Sequence, residues 1–343
     1  MKAAVLTAPK ELTVREVDTP KPGAGEVLVR VKACGLCQTD YLGYIGERDY
    51  MPFPTIMGHE IAGVVTDTGH GVDGFESGDE VIVNPMINCG VCDNCRRGFE
   101  HYCRTGAVVG GDGQPTILDG AFAEYVSVPA RAIYRKPPEV SFRAAALTEP
   151  LAGSYKGLIE YSQMRLGEDV VIIGAGGMGL LVTMLAVNAG AGRVVVIDKV
   201  DFRLEKAREL GAHHVVNFDK GSVEDRVAEI LPKGADLVFE AAGTLPAASL
   251  AMALVRHGTR VNMFGVIVPG TIPVSPREIH FLETRIDASF TVTPRVMTAA
   301  IDLMSKGLAD PERIVTQVYA LEDIEEAFFK MADPDRIKIV VEP

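Results

Sequence analysis

Positive charge is in short supply: 34 Lys and Arg face 46 Asp and Glu, a formal net charge of −12. That balance argues against nucleic acid or an anionic membrane surface as a partner. Tryptophan is absent. The N-terminal stretch MKAAVLTAPKELTV has no long apolar segment, so no signal peptide is expected and a cytoplasmic location is. No internal repeat or low-complexity segment occurs. One run, residues 170–192, holds 23 residues without a charge, long enough in principle to span a bilayer. Four glycines early in it, 174, 176, 177 and 179, instead mark a strand, a tight turn and a buried helix. A membrane span is excluded on that composition.

What is present suits a globular chain. Hydrophobic residues are 47% and charged residues 23%, enough apolar material to exclude disorder. At roughly 150 residues per domain, the length suggests two domains. Thirty-five glycines foretell Gly-rich turns. The first part reads as β-rich, with apolar runs at residues 2–7, 11–17, 26–33, 60–68, 79–84 and 122–128. Pro137-Pro138 ends it. From about Gly167, short strands at 170–173, 193–197, 214–217, 237–240 and 260–264 alternate with helices at 178–189, 202–210, 223–231 and 247–256. Such alternation implies a parallel sheet covered on both faces. Helices at 295–306 and 321–331 and a strand at 337–341 follow.

Gly174-Ala-Gly176-Gly177-Met178-Gly179 fits G-x-G-x-x-G between a strand and a helix, the context in which it binds a dinucleotide. The glycines serve the tight turn, the approach of a pyrophosphate and close helix–strand packing. The helix N-terminus offers N–H groups to the anion. Asp198, 22 residues after Gly176, is placed to bind a ribose 2′-hydroxyl, which favours NAD over NADP. The nearby cations Lys199 and Arg203 blur that preference.

Four of the six cysteines crowd into fifteen residues: Cys89, Cys92, Cys95 and Cys103. Four thiolates at this spacing can surround one structural Zn²⁺ with no open position. Disulfides are disfavoured in a reducing compartment. The loop between them is nearly devoid of apolar residues, so metal must replace a core. A second set is dispersed: Cys37 after a strand, His59 at the start of another, and Glu149 near the domain junction. Beside a dinucleotide fold, a Cys/His/carboxylate set with an open position is a catalytic zinc pattern.

These motifs, with Gly35-Leu-Cys37-Gln-Thr39-Asp40, Gly58-His59-Glu60 and Glu149-Pro150, stand in the order found in zinc-dependent medium-chain alcohol and polyol dehydrogenases. The sequence resembles that family along nearly its whole length. The resemblance implies an α/β fold: a GroES-like β-rich catalytic domain at residues 1–151, completed by 296–343, and a Rossmann doubly wound parallel-sheet domain at 152–295. It also implies that Cys37 and His59 bind the catalytic Zn. Glu60 would lie near or on the metal, and Glu149 would bind it directly or through water. Asp40 would orient the His59 imidazole, and Thr39 would bond the substrate hydroxyl and relay its proton. An acid at 149 looks like the sorbitol- or threonine-dehydrogenase branch. Homodimers or homotetramers are implied, with residues 271–275 and 286–290 as an edge for pairing.

Departures from the family pattern are visible. Leu42 stands where many members have a relay histidine, leaving Tyr44 and His70 as candidate stand-ins. Gln38 replaces a basic residue, and Ala288-Ser-Phe-Thr lies where polyol members have Phe-Arg-Tyr. Tyr44, Ile45, Tyr50 and Phe53 suggest an apolar substrate wall. Lys156 and His101 read as solvated, and Cys34 as a buried thiol. The expected activity is hydride transfer between a secondary alcohol, polyol or hydroxy acid and NAD, with two Zn per chain. The alternatives are a zinc-free quinone or enoyl reductase on the same fold and a non-catalytic dinucleotide-binding redox sensor. Neither has a use for the retained ligands.

Overall fold

A computed structural model describes residues 1–48, 52–111, 116–266 and 269–343. Tyr50, and part of each loop flanking the expected substrate wall, lie outside the described residues. The chain divides into two compact units, Met1–Glu149 with Val292–Pro343, and Pro150–Thr291.

The first unit is built on a seven-stranded sheet. Its middle strand, Glu26–Leu36, is rich in β-branched residues and buried along most of its length, which is why it sits centrally. It pairs antiparallel with Glu60–Thr68 on one side and with the C-terminal strand Lys338–Glu342 on the other. The register sets Gly35 opposite both Glu60 and Val340. Lys338–Glu342 pairs in parallel with Val315–Ala320, a strand missed in the sequence because polar Thr316 and Gln317 interrupt its apolar pattern. Val27, Val29, Val31, Ile61, Val65, Val81 and Phe122 form the core with Phe328 from the last helix.

The second unit carries a six-stranded, wholly parallel sheet. Its strands are β1 (Asp169–Ile173), β2 (Arg193–Asp198), β3 (His214–Asn217), β4 (Leu237–Glu240), β5 (Arg260–Met263) and β6 (Arg285–Ala288). Their spatial order is β3-β2-β1-β4-β5-β6. This is the Rossmann order, which reverses direction between β1 and β4 and opens a crevice at the carboxyl ends of the strands there. β1, β2 and β4 are buried nearly throughout, as apolar strands covered on both faces must be. The uncharged run splits into β1 and the helix Gly177–Asn188. No described helix is long and apolar enough to cross a membrane.

Residues 271–275 are not a strand, contrary to expectation. Pro273 cannot donate to a ladder, and Pro276 opens the helix Pro276–Leu282 immediately after. The edge strand is β6, two residues earlier in its end than the expected 286–290.

Candidate active site

The strand Glu26–Leu36 runs directly into the helix Gln38–Ile45, with Cys37 as the N-cap. Asp40 occupies the third helical position. Its Oδ2 accepts from the Cys37 amide at 2.9 Å, and its Oδ1 accepts from the Gly58 amide at 3.2 Å. One buried carboxylate therefore ties together two segments twenty residues apart. Oδ1 also faces His59 Nδ1 at 3.4 Å, which leaves Nε2 as the nitrogen turned elsewhere. Burial lowers the imidazole pKa, but Asp40 and Cys37 together, by charge and hydrogen bonding, outweigh it and raise the value well above normal.

Gly58 has φ +99°, and a Cβ there would strike Cys34 Sγ at 2.8 Å. Only glycine fits, so the turn into His59 is held against the sheet. Gly35 is equally constrained: a Cβ would lie 1.9 Å from Glu60 Oε2. The bare glycine lets the Glu60 carboxylate into the interior.

Ligand atoms of Cys37, His59 and Glu60 all lie within 4.8 Å of one another. Glu60 is fully buried. Its Oε1 accepts from Lys338 Nζ at 2.5 Å, while Oε2 has no hydrogen-bond partner. A buried oxygen left bare beside a thiol and an imidazole fits a cation. Sequence reasoning missed Lys338, whose lysine in a C-terminal strand gave no local signal. Glu149 opens the helix Thr148–Tyr155 and is half-buried; it falls outside the cluster of three. Burial raises its carboxyl to about 7, with His59 and Lys338 opposing and Glu60 and Asp40 assisting. It therefore shares the electrostatic neighbourhood of the cluster. Thr39 is half-buried beside Cys37.

The cysteine lobe is a second cluster, with all four sulfurs within 4.8 Å. Cys92 Sγ lies 3.5 Å from Cys95 and 4.0 Å from Cys103, and Cys89 lies 3.9 Å from Cys95. Ligands about 2.3 Å from a tetrahedral Zn²⁺ stand about 3.8 Å apart, whereas bonded sulfurs stand about 2.05 Å apart. All six cysteines are free thiols. A hydrogen bond from Thr105 leads in lowering Cys89 to about 5, while burial raises Cys95 to about 12. His101 is buried rather than solvated, because its ring lies 4.2 Å from that of Tyr102.

In the second unit, Gly174 (φ +102°) turns the chain out of β1, and a Cβ on Gly179 would lie 1.8 Å from the Gly174 carbonyl oxygen. Gly176 caps the helix whose first turn holds Gly177, Met178 and Gly179. Asp198 Oδ2 accepts from the Ala175 amide at 2.6 Å and Oδ1 from Val200 at 2.9 Å, binding the end of β2 to the glycine turn. Lys199 is exposed and Arg203 half-buried.

Other expectations are corrected. Tyr44 is buried against Phe328 at 4.8 Å, so it belongs to the core rather than to a substrate wall. His70 is exposed beyond the far end of Glu60–Thr68, about 30 Å of extended strand from the cluster. Lys156 is 1% exposed, and its Nζ donates to the Phe290 carbonyl at 2.8 Å. Cys34, by contrast, is the buried thiol expected.

Fold and donor sets together define an alcohol dehydrogenase-type oxidoreductase that uses zinc and a nicotinamide cofactor. Residues 23–138 match the alcohol dehydrogenase GroES-like domain, and residues 177–306 match the zinc-binding dehydrogenase domain. An L-threonine 3-dehydrogenase of Burkholderia vietnamiensis is 32% identical over 100% of this chain and 99% of its own length. A Sinorhizobium meliloti 1021 chain solved with NADP is 32% identical, with a TM-score of 0.93 over 100% of this chain and 99% of its own. An alcohol dehydrogenase of Escherichia coli CFT073 complexed with NADH is 29% identical, with a TM-score of 0.92 and the same coverage. The chain belongs to the zinc-dependent medium-chain alcohol and polyol dehydrogenases.

Proposed function

We propose that the protein is an NAD-preferring dehydrogenase of a secondary alcohol, polyol or hydroxy acid, with two Zn per chain. The observation that carries this is the buried Cys37–His59–Glu60 cluster with its bare carboxylate oxygen. Cys37 and His59 hold the catalytic ion, with Glu149 bound directly or through water and Glu60 beside it. Cys89, Cys92, Cys95 and Cys103 hold the structural ion. The catalytic ion, when bound, supplies Lewis-acid polarisation of the alcohol oxygen and lowers its pKa. The nicotinamide supplies the hydride acceptor.

The chain's own residues do the rest. Asp40 holds the His59 ring by Nδ1 and fixes its tautomer. The Thr39 hydroxyl takes the substrate proton while passing its own outward. With Leu42 beside it and Tyr44 committed to the core, water or the cofactor ribose carries the proton on. The first unit serves as the catalytic domain and the second as the dinucleotide-binding domain. The Asp198 carboxylate supports NAD, because a 2′-phosphate beside it meets a like charge.

The edge of β6, with Ile286 exposed on it and Phe290 exposed two residues beyond its end, supports pairing of copies into a homodimer or homotetramer. Free thiols throughout support a cytoplasmic location. The test is absorbance of NADH against secondary alcohols, diols, polyols, threonine-like amino alcohols and hydroxy acids, with NAD and with NADP, before and after chelation. Chelator-sensitive reduction of NAD by one class is the expected result. Activity that survives loss of the metal overturns the proposal.

A further inference from the structure

Glu240 is the last residue of β4 and is fully buried. Its Oε1 accepts from the Ala242 amide at 2.9 Å and the Gly243 amide at 2.8 Å, fixing the turn after β4. Its Oε2 has no hydrogen-bond partner among the described residues and lies where a Cβ on Gly265 would come, 2.6 Å away. The same Cβ would be 2.4 Å from the Gly243 nitrogen. The Glu240 main-chain oxygen accepts from the Phe264 and Gly265 amides at 3.0 and 2.9 Å. The carboxylate thus fixes the turn after β4 and sets its second oxygen against Gly265, while the main-chain oxygen ties in the turn after β5. A buried oxygen without a partner is costly, and such groups gather where a fold serves a ligand. Burial raises this carboxyl's pKa.

Sheet order says which part of the ligand these turns face. In a doubly wound sheet the dinucleotide straddles the point where strand order reverses. The glycine turn after β1 takes the pyrophosphate, and Asp198 at the end of β2 takes the adenosine ribose. The turns after β4 and β5 lie on the other side and receive the nicotinamide half. We propose that Glu240 is a positioning residue for the nicotinamide half of the cofactor, holding the turns after β4 and β5 in one arrangement.

The pyrophosphate cradle has anchors of its own. The Gly174 amide donates to the Ile197 oxygen at 2.7 Å, and the Ala175 amide donates to Asp198. Loss of Glu240 therefore discriminates between the two halves of the cofactor. The inference rests on the nicotinamide-cofactor reading, and ADP-ribose separates the two.

The experiment titrates purified full-length protein with NADH and with ADP-ribose, which lacks only the nicotinamide. Wild type is expected to bind both; binding of neither would overturn the cofactor reading itself. Glu240→Ala is expected to weaken NADH by about tenfold and leave ADP-ribose within about twofold, the loss of hydrogen bonds to a charged acceptor. Glu240→Gln keeps a carbonyl oxygen toward Ala242 and Gly243, and is expected to recover most of the NADH affinity. Should Glu240→Ala fail to fold, Gly265→Ala separates the same two turns from the opposite side and is expected to give the same split. NADH and ADP-ribose weakened alike, or neither weakened, would overturn the inference.

Discussion

The cysteine lobe gathers four candidate ligands from fifteen consecutive residues, whereas the Cys37–His59–Glu60 cluster draws three from two strands and a helix start. In the lobe, four sulfurs lie within 4.8 Å of one another, and Val91, Phe99 and Tyr102 are exposed. In the cluster, groups other than metal act on each residue. Asp40 holds His59 and the Cys37 amide, Lys338 holds Glu60, and Gly35 and Gly58 admit the backbone and carboxylate at close range. On the proposed roles, metal would supply the order of one site and the fold that of the other. A site preorganised in this way suits chemistry, because its ligands need not rearrange when substrate arrives.

The largest test of this contrast is Cys37→Ala. On the proposed roles it removes one Zn of two and lowers kcat by on the order of 10³-fold, the loss of several kcal/mol of charge stabilisation. Because the surrounding fold holds the cluster, the melting temperature should stay near that of the wild type. Metal analysis alongside a thermal melt checks both; a collapse of the melt would show that the fold depends on this ion.

Next comes Lys338→Met, which strands a buried Glu60 charge. Breaking one side of a buried pair costs about 3–5 kcal/mol. Adding Glu60→Gln should return much of that stability in urea unfolding. A single variant as stable as the wild type would mean that Lys338 is not what holds Glu60. Asp40→Asn is a smaller change. It keeps the volume but weakens the hold on His59, so metal affinity or kcat/KM should fall about 10–100-fold. An unchanged value would place the control of the His59 ring elsewhere.

The sequence made the local site legible and left the dispersed one half-seen. Cysteine spacing declares the lobe, and the glycine pattern after β1 declares the cradle, because both chemistries need residues close along the chain. Cys37, His59 and Glu149 acquired meaning only beside a dinucleotide fold, and their separate roles only beside a family resemblance. Lys338 gave no signal, since it acts through Glu60, a partner that strand register brings near. Buried Lys156 and His101 were misread for a related reason. A polar residue reads as solvated until its carbonyl or aromatic partners are in place. Among the elements, Val315–Ala320 was hidden by polar residues on a strand whose pairing is long-range.

The smallest effect on chemistry should come from the lobe itself. Cys92→Ser removes one sulfur from the four and should release the structural ion, since thiolate affinity is what holds it. Residues 88–105 have little apolar material to fall back on, so the loop should lose protection against hydrogen exchange and become open to proteolysis. The strands around Cys37 draw their order from Val27, Val29, Ile61 and Val65, which the lobe does not supply. Their protection should be unchanged, and kcat should stay within about threefold of the wild type, a change of less than about 1 kcal/mol. Exchange mapped by mass spectrometry, with Zn counted per chain, separates the outcomes. Deprotection that spreads from the lobe into Glu60–Thr68 would mean that the two sites share one source of order, and the contrast between them would fail.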